Sequence, residues 1–120
     1  MTVRNIKEVV SSKVAAGTDT SIQVLISSQE GPHFAMRRFV IQPGGGMPLH
    51  TNTLEHEQYV LNGEAKVRIG EQEHQVKTGD VVFIPEGAPH SYFNTGTDEF
   101  VFLCVIPNQP DEIKLVEGGC

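Results

Sequence analysis

The sequence predicts an all-β fold, a sandwich or closed barrel, on three observations. Apolar and β-branched residues fall into roughly nine or ten short runs at near-regular spacing, the pattern of many short strands. The 12 glycines and 7 prolines are spread along the 120 residues rather than clustered, which suits turns between strands. No segment carries the roughly 3.6-residue apolar period of a convincing helix.

Residues 6–10 (IKEVV) read as a weak strand, and residues 21–28 (SIQVLISS) as a stronger one. Residues 34–42 (FAMRRFVIQ) form the next, and Pro43 with the three glycines after it is expected to break it. Residues 50–52 are a short extended piece. Residues 56–62 (HEQYVLN) and 64–69 (EAKVRI) read as a hairpin closed by Asn62-Gly63, since both positions tolerate positive φ. Shorter strands follow at HQV, VVFIP and HSYFN, then the apolar run FVFLCVIP. The tail is polar except for EIKLVE, which fits a strand or a helical turn. The length suggests one domain over 1–120: a barrel core at about 34–107, N-terminal strands at 1–33 completing the sheets or a dimer, and a tail at 108–120. An edge strand at residues 6–10 could add to a neighbour's sheet, so a homodimer is expected.

Net charge is −6, and the basic residues come singly or as the pair Arg37-Arg38. Nucleic acid is therefore not an expected partner, because phosphate binding needs a basic face. A membrane is not expected either: no apolar run approaches the roughly 20 residues of a spanning helix, and the N-terminus lacks the core of a signal peptide. A cytoplasmic location is the default. Cys104 lies in an apolar strand and reads as a buried thiol; a disulfide to Cys120 is not expected.

Chemistry concentrates in two glycine-anchored blocks. The first is Gly44-GGMPL-His50-Thr-Asn52-TLE-His56-EQYVLN-Gly63, and the second is Gly79-DVVFI-Pro85-Glu-Gly87-AP-His90-SYF-Asn94. Residues two apart on a strand face one side, so His50 and Asn52 point together. A returning strand can bring His56 to the same place, and a strand of the second block can bring His90. The same parity turns Gln58 and Val60 inward with His56, and Glu57, Tyr59 and Leu61 outward. Tyr92 follows His90, and Phe102, Cys104 and Ile106 share a face. Apolar Phe39 and Ile41 place Arg37 inside, where a buried guanidinium needs an anionic partner such as a substrate carboxylate. His33 reads as a loop residue and His74 as lying on a solvated face.

The second block resembles the second motif of the cupin family at every fixed position. The first resembles that family's first motif in spacing, but Asn52 stands where a second His is expected and, for a gap of three, His56 where a Glu is expected; a gap of four puts Glu57 at the Glu position and leaves Gly63 one residue too close. The resemblance covers about residues 34–107. It implies a double-stranded β-helix, or jelly-roll barrel, with a divalent metal inside, and is nearest to small single-domain cupins that carry His in place of the Glu ligand. On that reading His50, His56 and His90 hold the ion. Asn52 is a direct ligand through its oxygen, a partner of a bound water, or a spectator. Arg37, Gln58, Tyr92, Phe102 and Cys104 line the pocket.

Imidazole ligands suit Fe, Mn, Zn, Ni or Cu rather than Ca or Mg, and Mn or Fe is favoured. Three protein ligands leave open positions, as catalytic sites require. The leading expectation is a metal-binding cupin with oxygenase-type chemistry on a small organic substrate. Its alternatives are a non-catalytic binding or sensing module, and an oxygen-independent Zn or Ni isomerase or hydrolase.

Overall fold

The computed structural model describes residues 2–116. Its strands are β1 (Ser11–Lys13), β2 (Thr18–Ile26), β3 (Phe34–Asn52), β4 (His56–Asn62) and β5 (Glu64–Ile69), then β6 (Gln72–Lys77), β7 (Val81–Ile84), β8 (His90–Phe93), β9 (Phe100–Pro107) and β10 (Ile113–Leu115). Neighbouring strands run in the order β6-β5-β8-β3-β9-β4-β7, with β1 beside β2 and both β2 and β10 beside β3. This curled, antiparallel arrangement is a jelly-roll barrel.

The organising element is β3. Its first half, Phe34 to Ile41, pairs with β9 on one side and β2 on the other. Its second half pairs with β8 and with β10. One strand thus belongs to both layers, and the expected break at Pro43 to Gly46 is corrected: the chain bends there and continues as the same strand. Gly45 and Gly46 serve close approach. A Cβ on Gly46 would meet the Tyr92 carbonyl oxygen at 2.2 Å, so only glycine lets the two backbones cross this tightly.

The Asn62-Gly63 hairpin is also corrected. β4 pairs with β7 and β9, whereas β5 pairs with β6 and β8, so the chain passes from one layer to the other at this turn. Gly63 does have positive φ (81°), and an added Cβ would sit 2.3 Å from the Glu99 carbonyl oxygen. The local turn chemistry was legible; the destination of the next strand was not.

The expected strand at residues 6–10 is a 3-10 turn over Ile6–Glu8. Asn5 accepts from the Lys7 N–H through its side chain, and Glu8 accepts from the Asn5 N–H. This reciprocal cap satisfies the backbone locally and outcompetes pairing. The edge expected to recruit a second copy is therefore not a strand. Within EIKLVE, Ile113–Leu115 form a strand, with Ile113 opposite Asn52 and Leu115 opposite His50, and Glu117 lies outside the described residues.

Inside the barrel, Ile41, Val60, Val67, Ile84, Phe100 and Phe102 are almost wholly buried. Burial of each contributes about 1.5–3 kcal/mol relative to exposure. Phe102 stacks on both Phe39 (5.1 Å) and Tyr92 (5.2 Å), which stiffens the wall behind the histidines. Alternation holds on β4: His56, Gln58 and Val60 are buried, and Glu57, Tyr59 and Leu61 face solvent. Among the described residues no helix is long and apolar enough to cross a membrane.

Candidate metal centre

The barrel encloses a cavity of about 170 Å³ whose lining includes Arg37, His50, Asn52, His56, Gln58, His90, Tyr92 and Phe102. Residues from β3, β4, β8 and β9 converge there, as the parity argument predicts. Cys104 lies directly behind the wall, fully buried. A larger surface groove between residues 2–9 and β2 carries none of these groups. His33 and His74 are exposed and lie outside the cavity.

Each histidine is oriented from behind. His50 Nδ1 lies 2.7 Å from the Pro48 carbonyl oxygen, and His90 Nδ1 lies 2.9 Å from that of Ala88. A carbonyl can only accept, so Nδ1 carries the proton in both rings and Nε2 is left as a free lone pair. His56 Nδ1 sits 3.3 Å from Cys104 Sγ. With Nδ1–H donating to sulfur, Nε2 is again a free lone pair; with S–H donating to Nδ1, Nε2–H is a buried donor. In either tautomer His56 Nε2 is buried without a partner, and so is Asn52 Oδ1.

The ring centroids of His50 and His90 are 4.2 Å apart, and those of His56 and His90 are 5.7 Å apart. As placed, no three His, Cys, Asp or Glu side chains among the described residues form an arrangement that would hold a metal ion. The structure thus brings the expected donors into one cavity without drawing them onto one point. The donor set itself fits a nitrogen-preferring divalent ion, since two of its polar atoms are desolvated and unsatisfied.

Burial keeps the His56 and His90 rings neutral. Burial, helped by the Arg37 charge, pushes His56 down to about 3, and burial pushes His90 down to about 4. Both are therefore neutral near pH 7, with one ring nitrogen free of a proton, the state a ligand must have. Burial also raises Tyr92 and Cys104 above their usual ranges, so both keep their protons. The Tyr92 hydroxyl accepts from Gln58 Nε2 at 2.7 Å, which leaves its own proton free to donate.

Arg37 stands in the cavity with its Nη2 donating to Cys104 Sγ at 3.3 Å and its guanidinium 5.1 Å from the Phe39 ring centroid. Its Nε is buried and unpartnered, and no carboxylate pairs with it among the described residues. One group escaped the sequence reading. Asp111, in the polar tail, accepts from Asn52 Nδ2 at 3.2 Å and from the Thr53 N–H at 3.0 Å. No local pattern could have flagged it, because only the pairing of β10 with β3 brings it there.

Known proteins agree with this architecture. Over 83 residues the chain is 36% identical to an oxalate-binding protein of Thermotoga maritima, covering 66% of this chain and 69% of that one. The polyketide cyclase RemF of Streptomyces resistomycificus superposes with a TM-score of 0.88 at 28% identity, covering 97% of this chain and 85% of that one. A cupin 2 conserved barrel domain protein of Rhodopseudomonas palustris gives 0.78 at 30% identity, over 89% and 75% of the two chains. The Cupin_2 family model, described as a cupin domain, matches residues 37–106, which include both histidine-bearing blocks, strands β4 to β8 and most of β3 and β9; the chain belongs to that family.

Proposed function

We propose that this protein binds a divalent transition metal, Mn or Fe by preference, through His50, His56 and His90, and takes a small organic carboxylate into the same cavity. The observation that carries the reading is the set of desolvated polar atoms without partners: His56 Nε2, Asn52 Oδ1 and Arg37 Nε. Each costs about 1–3 kcal/mol while unsatisfied. Two are suited to a cation and one to an anion, so a metal with a carboxylate beside it would satisfy all three. The similarity to an oxalate-binding protein supports the carboxylate.

The chain's residues then divide the work. Arg37 holds the carboxylate, since no carboxylate among the described residues pairs with its guanidinium. The Tyr92 hydroxyl, aligned by Gln58, donates to a ligand oxygen. Phe39 and Phe102 exclude water from the inner wall. A redox-active ion held by the histidines would supply the electron-transfer chemistry of an oxygenase.

A second reading, binding or sensing without turnover, is favoured by one specific feature. With the three imidazoles committed to a metal, no side chain lining the cavity is left as a free general base: Arg37 is cationic, Tyr92 keeps its proton, and the Asp111 carboxylate stands behind Asn52, outside the lining. The same feature weighs against a zinc or nickel hydrolase, which needs such a base.

The test starts with elemental analysis of untagged protein prepared without chelator, beside His56→Ala. Near-stoichiometric Mn or Fe in the parent, lost in the variant, is expected; no metal in the parent even after reloading would sink the reading. Calorimetry with oxalate on the loaded protein follows, with Arg37→Leu expected to weaken binding at least tenfold. Oxygen uptake during incubation with the bound carboxylate separates turnover from binding.

A further inference from the structure

The cavity's four candidate ligand side chains are all oriented from behind, and three of the orienting groups belong to the barrel itself: the Pro48 carbonyl, the Ala88 carbonyl and the Cys104 sulfur. The fourth does not. Asn52 is backed by Asp111, which precedes β10 and lies outside the segment matched by the family model. The two ends of an amide differ chemically, and a carboxylate can only accept. The Asn52 NH2 must therefore face Asp111, and its carbonyl oxygen must face the cavity, where it is buried with no partner. Without that carboxylate, the amide would gain by turning its NH2 inward or by rotating to solvent, and the cavity would lose an acceptor.

Asp111 is itself fixed. Its other oxygen accepts from the Thr53 N–H and from the Thr53 hydroxyl, both at 3.0 Å, and that hydroxyl accepts from the Glu112 N–H. Beyond it, β10 pairs with His50 through Asn52, and Ile113 lines the cavity. The segment is a strap laid along the strand that carries two of the candidate ligands. It also brings a negative charge near a donor set that has none of its own, and that charge acts on both His56 and His90.

We propose that Asp111 is a positioning residue that turns the Asn52 carbonyl oxygen into the cavity, so that an amide replaces an imidazole as an oriented acceptor beside three histidines. The inference rests on the metal reading for its consequence but not for its geometry. Two readouts separate them. In the metal-free protein, the Asn52 side-chain NH2 signals, assigned by their loss in Asn52→Ala, should be shifted and slow to exchange; in Asp111→Ala they should move to the position of a free side-chain amide. An unchanged NH2 pair in Asp111→Ala overturns the proposal.

The second readout is Co2+ affinity by chelator competition, with the visible spectrum of the bound ion. Asp111→Ala should weaken binding about tenfold, the scale on which groups that orient ligands act. Thr53→Ala cuts the strap's hydroxyl bonds but keeps Asp111 on Asn52, so it should leave affinity within about twofold. In the Asn52→Ala background, Asp111→Ala should have little further effect. Equal losses in Thr53→Ala and Asp111→Ala would show a strap that merely seals the cavity, and would overturn the proposal. Failure of the parent to bind Co2+ would instead sink the metal reading, and the amide spectrum would still decide the orientation.

Discussion

The two histidine-bearing blocks differ in how completely their polar atoms are satisfied. In the block from Gly79 to Asn94, Asn94 donates to the Ile41 and Asp98 carbonyls and accepts from the Gly96 N–H, and His90 is tied to Ala88. In the block from Gly44 to Gly63, Asn52 Oδ1 and His56 Nε2 are buried with no partner. The two asparagines are almost equally buried, yet one closes a corner of the barrel and the other leaves an acceptor open. Satisfied polar atoms hold a fold, and unsatisfied ones in a cavity are held by it at a cost that a ligand can relieve.

The largest test of this contrast is acid. His56 and His90 have folded values depressed to about 3 and about 4, below the ordinary 6.5. The unfolded chain therefore binds more protons than the folded one between these limits. Stability is fully present above about pH 6.5 and is lost as pH falls toward the folded values, by on the order of 5 kcal/mol for the two rings together between pH 6.5 and 4.5. Denaturant unfolding of the metal-free protein across that window checks it. A flat profile would mean that the rings are hydrated and the cavity is not as dry as its geometry requires.

Next in size is the asparagine pair. Asn94→Ala should cost about 2–3 kcal/mol, because it orphans the carbonyl of fully buried Ile41. Asn52→Ala should stay within about 1 kcal/mol of the parent, since one lost bond to Asp111 is offset by removal of an orphan oxygen. Equal losses, read by urea unfolding, would erase the distinction between the blocks.

A smaller and opposite effect is expected for His56→Leu. Removing a buried, unpartnered ring nitrogen should stabilise the metal-free protein by about 1 kcal/mol and remove roughly half of the acid sensitivity, while abolishing metal uptake. A variant that is less stable at pH 7 would place His56 among the structural residues. The smallest effect belongs to the outer face of the same strand. Tyr59→Ser, at an exposed position one residue from Gln58, should change stability by less than about 0.5 kcal/mol and leave Co2+ affinity unchanged. A larger effect on metal binding would contradict the alternation on which the cavity's lining rests.

What the sequence determined by itself was local and periodic. Strand character follows from β-branched and aromatic runs, and alternation on a strand is a property of the backbone, so the inward set Arg37, His56, Gln58, Tyr92 and Cys104 could be read before any pairing was known. The three histidines group by resemblance to the family's motif positions, and strand parity makes it physically reasonable that they line one cavity.

Tertiary structure decided the partners. Asn62-Gly63 satisfies the rules of a tight turn whichever layer the next strand joins, so nothing local separates a hairpin from a crossing. Pro43 to Gly46 weaken a strand by propensity, yet here they permit the close passage of β3 by β8 that lets one strand serve two layers. Asp111 is the clearest case. It lies 59 residues from Asn52 in a polar tail, and only the register of β10 on β3 sets its carboxylate against the amide. Backbone preferences are fixed by neighbours in sequence, whereas the orientation of an amide is fixed by whichever acceptor the folded chain brings behind it.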